Sequence, residues 1–325
     1  LSPVGEPPPV PLPRDRRPLL ALAGYLVAVF VGGALLAPWL YAGVQALAPH
    51  VPALESLSRM SFGRYVNRGV LITALLGLPL FLRAAGVRSL RDVGFYRRGI
   101  PWRRVAGGFA LGFVSLAAVC AIALLAGGRR LNLERTPGEL AAQFAGALLT
   151  AAIVSVIEEM LFRGAIFGGL RRSMPWGAAL AISSALYGIV HFMTRPVSPE
   201  RVDWLSGLRV LPTMLRGMAD PDQLVPAFFS LTLAGVVLGL AYHRTGDIFA
   251  SIGIHAGWIF WLKFYGFATR RVPDVDPWFW GTGKLVDGWL AFAALVVVLA
   301  AVWLLSRRRQ AQAGANGLAP APRTE

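Results

Sequence analysis

Glu158 and Glu159 stand side by side in SVIEEMLFRG (residues 155–164), between AGALLTAAIV before and AIFGGL after. Arg163 follows one helical turn later. A charged side chain at the centre of a membrane-spanning helix costs roughly 2.5–3.5 kcal/mol on insertion scales. These three groups must therefore face a bundle interior or a wet cavity and find partners there. Glu159 and Arg163 are four apart, share a helical face and can pair. Glu158 is rotated by about 100° and lacks that partner. One carboxylate is thus placed for structure while its neighbour is free for chemistry. The alternative is one buried ion network that locks helices together.

The chain has four histidines. His50 and His243 fall at the ends of apolar runs, where a solvated or interfacial side chain is the ordinary reading. His191 and His255 fall inside such runs, and with the glutamate pair they form a constellation. At 1.5 Å per residue, Glu158 lies about 20 Å from the basic end of its helix, His191 about 24 Å and His255 about 12 Å into theirs, so tilted helices can bring the three together. Ser184, Tyr187 and His191 share a helical spacing, as do Ser251 and His255, and such hydroxyls can fix a ring orientation or tautomer. There is no G-x-S-x-G elbow and no H-E-x-x-H pair. What remains is water activation. A carboxylate withdrawn from bulk water is a stronger base, and a neighbouring histidine can share the proton or stabilise an oxyanion. Glu158, His191 and His255 are equally a ligand set for one divalent metal such as zinc, with a position left for water. Both schemes, with no cofactor or with one metal, use the same residues.

The elements that must position these groups are helices in a membrane. Of 325 residues, 55% are hydrophobic and 15% charged, and the mean hydropathy is +0.57, values that exclude an ordinary soluble domain. The net charge of +15 comes from arginines placed between apolar runs, which fits membrane topology and anionic lipid headgroups and excludes nucleic acid as the partner. Cys120 is the only cysteine, so no intramolecular disulfide forms. Eight runs have about the length of a crossing, near residues 19–47, 66–86, 104–127, 139–170, 175–194, 224–243, 247–268 and 285–306. Arg83, Arg88, Arg91, Arg97, Arg98, Arg103 and Arg104, then Arg171 and Arg172, then Arg307, Arg308 and Arg309 fall on one side if all eight cross. The expected fold is an all-α, polytopic transmembrane bundle of about eight spans with both termini cytoplasmic.

The first run reads as an anchor rather than a removed signal peptide. Residues 1–18 read as a disordered Pro-rich tail, 19–306 as the membrane domain and 307–325 as a second disordered tail. Loop 195–223 holds Val202, Leu205, Leu208, Leu211, Leu215 and Met218 at three- to four-residue spacing, the pattern of an amphipathic helix on the outer membrane surface. Gly235 with Gly239, and Gly164 with Gly168, permit close helix contact.

The ordered motifs resemble those of the CPBP (CAAX protease and bacteriocin-processing, or Abi) intramembrane proteases. Glu158-Glu159-x-x-x-Arg163 matches that family's E-E-x-x-x-R. Tyr187-x-x-x-His191 looks like its F-x-x-x-H, and TGDIFASIGIHAGW (residues 245–258) is similar to its third segment, over roughly residues 75–270. The resemblance implies an endopeptidase acting on a membrane-associated protein or peptide in a prokaryotic inner membrane. In it Glu158 and His191 activate water, His255 helps stabilise the oxyanion, and Glu159, Arg163 and Tyr187 support the site. Two positions depart from the pattern. Tyr187 replaces Phe and adds a hydroxyl donor. Ile259 stands where the family commonly has the Asn of H-x-x-x-N, a loss worth a few kcal/mol if that Asn completes an oxyanion hole. This departure favours a rival reading, a non-proteolytic protein on the same scaffold with an immunity, binding or assembly role. A proton-coupled transporter with a Glu/His relay is the third.

Overall fold

The computed structural model describes residues 17–95, 99–218, 221–281 and 285–315. Helix α1 (Arg17–Leu47) turns back through two short helical turns into α2 (Phe62–Ala84), and the two pack as an antiparallel pair. Helix α3 (Trp102–Leu125) leads to strand β1 (Arg129–Leu131). Helix α4 (Pro137–Glu159) opens on a reciprocal cap: Thr136 Oγ1 accepts from the Glu139 amide, the Glu139 carboxylate accepts from the Thr136 amide, and Pro137 sits where no amide hydrogen is needed. It passes into a π-helical segment, Met160–Phe167, and a last α turn, Gly168–Leu170. Helix α5 (Trp176–Val190), the short α6 (Ser206–Val210), α7 (Pro221–Thr245) and α8 (Phe249–Ala268) follow, then β2 (Thr269–Arg271) and α9 (Trp289–Ala315). The two strands pair antiparallel, Arg130 opposite Arg270.

The eight apolar runs are all helical, and six helical stretches are long and apolar enough to cross a membrane: Arg17–Leu47, Phe62–Ala84, Trp102–Leu125, Pro137–Leu170, Leu224–Thr245 and Trp289–Arg307. The other two are α5, apolar but only 15 residues long, and α8. Helix α8 packs against α3, α4 and α7, and residues 251–260 are buried without a break. A helix enclosed by protein need not be apolar throughout, because lipid does not touch it. The helix that ends at His191 and the helix that contains His255 are thus the two outside that set of six.

Helix α8 lies parallel to α3 at backbone contact. A Cβ on Gly112 would stand 2.1 Å from the Ile254 carbonyl oxygen, and one on Gly253 would stand 2.2 Å from that of Val105. Small residues let backbones approach where no apolar solvent difference drives helices together. Gly108-x-x-x-Gly112 and Gly253-x-x-x-Gly257 form this seam, beyond the glycine pairs singled out from the sequence. Of those pairs, Gly235 and Gly239 do receive Ser184 and Leu180 of α5.

Loop 195–223 departs from expectation. The helical part is five residues of α6 followed by a 3-10 segment, Leu211–Met218, because Pro212 has no amide hydrogen to continue an α pattern. Ser206, Gly207 and Val210 are buried, and a Cβ on Gly207 would lie 1.8 Å from the Ala34 carbonyl oxygen. The segment is pressed onto α1 by its small residues rather than laid out as one amphipathic helix. Helix α9 also runs past residue 306 to Ala315, its arginines, glutamines and alanines being good helix formers. Residues 1–16 and 316–325 of the expected tails, and Arg97 and Arg98, lie outside the described residues.

Candidate active site

Three helix ends or junctions place the chemistry. Glu158 and Glu159 are the last two residues of α4 before its π segment. There the Gly168 amide reaches the Arg163 carbonyl, five residues back; such wide turns concentrate at functional sites. His191 caps the C-terminus of α5. His255 sits in the buried middle of α8, whose start is set by TGD. Gly246, at φ +72°, ends α7 with its amide on the Tyr242 carbonyl, and Asp247 Oδ1 accepts from the Phe249 amide. Asp247, fully buried, also pairs with Arg104 of α3.

The fold brings Glu158, Glu159, Arg163, Tyr187, His191 and His255 into one site with two unlike halves. In the buried half, Arg163 Nη1 lies 2.8 Å from Glu159 Oε1, and Arg163 Nη2 donates to the Gly235 carbonyl at 3.3 Å. Glu159 is 0% exposed and Arg163 3%. His255 Nδ1 lies 2.9 Å from the same Glu159 oxygen, so this nitrogen carries the proton and donates. Nε2 is then an acceptor, and the Tyr187 hydroxyl, 3.2 Å away, donates to it. The Arg163 guanidinium stacks over the Tyr187 ring, 4.9 Å from its centroid, a contact strengthened by burial.

The second half is open. The Glu158 and His191 side chains are 26% and 31% exposed. His191 Nδ1 donates to the Tyr187 carbonyl at 2.7 Å, which leaves Nε2 with a lone pair. That nitrogen lies 3.9 Å from Glu158 Oε2, and His255 Nε2 lies 3.7 Å from it. Glu158 Oε2 itself is buried with no hydrogen-bond partner. These gaps are too long for direct bonds and suit an intervening water.

The remaining sequence candidates fall elsewhere. Ser251 donates to the Ile248 carbonyl of its own helix, and Ser184 Oγ is buried without a partner beside Gly235. Neither hydroxyl bonds a histidine ring; a carboxylate and the Tyr187 carbonyl orient the rings instead. His243 stacks on Trp176 at 4.5 Å. Ile259 is buried with Ala147, Ala151 and Phe260 in an apolar cluster, the side of α8 that faces the earlier turns of α4. Among the described residues no group of three or more His, Cys, Asp or Glu side chains is arranged to hold a metal ion. In the Glu158–His191–His255 set, the Nε2 lone pair of His255 accepts the Tyr187 hydroxyl, so His255 would have to release that hydroxyl before it could join a metal.

Residues 140–261 match the family model of type II CAAX prenyl endopeptidase Rce1-like proteins. The segment is 122 of the 325 residues, narrower than the 75–270 suggested by the motifs, and it contains all six site residues. Among curated proteins and among solved structures, nothing matches the chain. The apolar helices and this match indicate an integral membrane protein, and the match makes residues 140–261 similar to proteases of the Rce1-like type.

Proposed function

We propose that the chain is a metal-independent, glutamate-type endopeptidase that hydrolyses a peptide bond of a membrane-associated substrate. The observation that carries this reading is the unpartnered Glu158 Oε2, held 3.9 and 3.7 Å from two histidine Nε2 atoms. A water in that gap donates one hydrogen to Glu158 and the other to the His191 lone pair, and turns its own lone pair toward the substrate. As its oxygen attacks the carbonyl carbon, the proton passes to Glu158 and the carbonyl electron pair moves onto oxygen. Collapse breaks the C–N bond, and Glu158 returns the proton to the leaving amine nitrogen. Glu159 and Arg163 clamp His255 from the buried side.

The family description suggests a substrate cleaved beside a prenylated cysteine. An apolar recess of about 300 Å³ lined by Ile189, Phe192, Met218, Leu224, Phe228 and Phe229 flanks His191 and suits a hydrocarbon chain. On this reading the protein works in a prokaryotic cytoplasmic membrane with both termini inside and its arginine-rich loops against anionic headgroups.

The test is Glu158→Ala, assayed in detergent with a fluorogenic peptide ending in a farnesylated cysteine and three further residues. Cleavage should vanish while the thermal transition stays in place. Normal cleavage by the variant would sink the mechanism. The second reading, a non-proteolytic role on this scaffold, is favoured by Ile259 in its apolar cluster. It gains the ground if Glu158→Ala retains full function in the cell and the wild-type protein cleaves no peptide.

A further inference from the structure

Hydrolysis by attack on a carbonyl needs a hydrogen-bond donor for the oxygen that becomes negative. In this site the two ring N–H donors are committed, and Arg163 lies on the buried side, 3% exposed. The Arg163 guanidinium is bound to Glu159 and to the Gly235 carbonyl. The His255 Nδ1–H is bound to Glu159 and the His191 Nδ1–H to the Tyr187 carbonyl. Ile259, one turn beyond His255, offers no donor and faces an apolar cluster. Each of these bonds joins a charged group or a backbone carbonyl, and none is released without leaving a buried partner unsatisfied.

The Tyr187 hydroxyl differs. It is buried with its residue 4% exposed, it donates to a neutral nitrogen at 3.2 Å, and its hydrogen turns about the Cζ–O bond without moving the ring. It also stands against His255 Nε2, the atom that lies 3.7 Å from Glu158 Oε2. We infer that Tyr187 is a catalytic residue whose hydroxyl donates to the developing oxyanion and supplies the donor that position 259 lacks. The inference rests on the proteolytic reading above.

The switch balances. In the resting site the O–H points at His255 Nε2. When the carbonyl oxygen gains charge, the O–H rotates to it, the stronger acceptor, and no proton leaves the phenol. Glu158, having just taken the water proton, keeps it for the leaving amine, and the 3.7 Å between its Oε2 and the vacated nitrogen is a gap that a water bridges. The ring itself stays fixed between Arg163, the T-shaped contact with Phe162 at 5.0 Å and His191 at 4.4 Å.

The experiment is Tyr187→Phe in the full chain, with the farnesylated fluorogenic peptide as probe. Since the ring contacts persist, kcat should fall by about 10²–10³-fold, the loss typical of one oxyanion donor, with KM and the thermal transition unchanged. A phosphinate analogue of the probe, tetrahedral and anionic, should lose affinity in step with kcat/KM, while an uncleavable ground-state analogue keeps its affinity. Trp261→Phe removes a different buried donor, an indole N–H without a partner, and should leave the rate alone. Unchanged kcat in Tyr187→Phe, equal weakening of both analogues, or the rate loss appearing in Trp261→Phe instead overturns the inference while leaving the protease reading intact. If the wild-type chain does not cleave, or cleaves without Glu158, both fall together.

Discussion

The Nδ1–H of His255 donates to Glu159 Oε1 across 2.9 Å, and the same oxygen takes the Arg163 guanidinium at 2.8 Å. One fully buried carboxylate oxygen thereby fixes both a cation of its own helix and the ring at the centre of α8. Removing one partner of a buried, hydrogen-bonded pair costs about 3–5 kcal/mol, because the other charge is left uncompensated. Glu159→Ala should therefore lower the thermal transition strongly and reduce the yield of folded protein, and Glu159→Gln, which keeps the shape and one acceptor, should do so less. Thermal unfolding of the detergent-purified variants measures this. An unmoved transition together with lost activity would exchange the roles assigned to the two glutamates.

His191 should behave in the opposite way. Its side chain is 31% exposed at a helix end, and the hydrogen bond its ring donates runs to a carbonyl of its own helix, so little of the fold depends on it. Its Nε2 lone pair is what the attacking water needs. His191→Ala should cut kcat by about 10²–10⁴-fold, the usual weight of one acid–base group, with only a small shift in thermal stability. A large loss of stability at full specific activity would mark His191 as a packing residue.

Chelation separates the two water-activation schemes. With His255 Nε2 engaged by Tyr187, cleavage should survive prolonged treatment with 1,10-phenanthroline or EDTA, and added zinc should not raise it. Loss of activity on chelation with recovery on metal addition would require His255 to release the tyrosine and join Glu158 and His191 around an ion.

Which parts of this were legible in the sequence follows from the physics of each signal. Intramembrane charge is expensive, so Glu158, Glu159 and Arg163 announced themselves, and the i,i+4 spacing named the pair that forms. Apolar run length located every long helix. At α5 and α8 run length was a less complete guide, since α5 is only 15 residues long and α8 is buried without a break over residues 251–260, and neither is among the six helices long and apolar enough to cross. The π segment at Met160–Phe167 left no pattern to read. Nor did the second partner of Glu159, because His255 is 96 residues away and only the packed fold brings it near. Position 259 was visible as a departure, but that it faces Ala147 and Ala151 rather than the reacting groups is a fact of helix rotation.

The α3–α8 seam was also hidden, because Gly108, Gly112, Gly253 and Gly257 lie in two motifs far apart in the chain. It ties backbone contact directly to site geometry. Gly257 is two residues past His255, and a Cβ there would stand 2.4 Å from the Phe113 amide nitrogen and 2.6 Å from the Phe109 carbonyl oxygen. Neither neighbour is a flexible side chain that can give way, so α8 must move off α3, carrying His255 with it relative to Glu159 on α4. Geometry errors of about 1 Å cost on the order of 10²-fold in rate. Gly257→Val should therefore reduce both activity and thermal stability although residue 257 touches no substrate. Gly146→Ala on α4, where a Cβ meets nothing within 4 Å, should keep activity and be neutral or slightly stabilising, as alanine is the better helix former by about 1 kcal/mol. If Gly257→Val retains wild-type kcat and the wild-type transition, the close packing of α3 on α8 does not position His255.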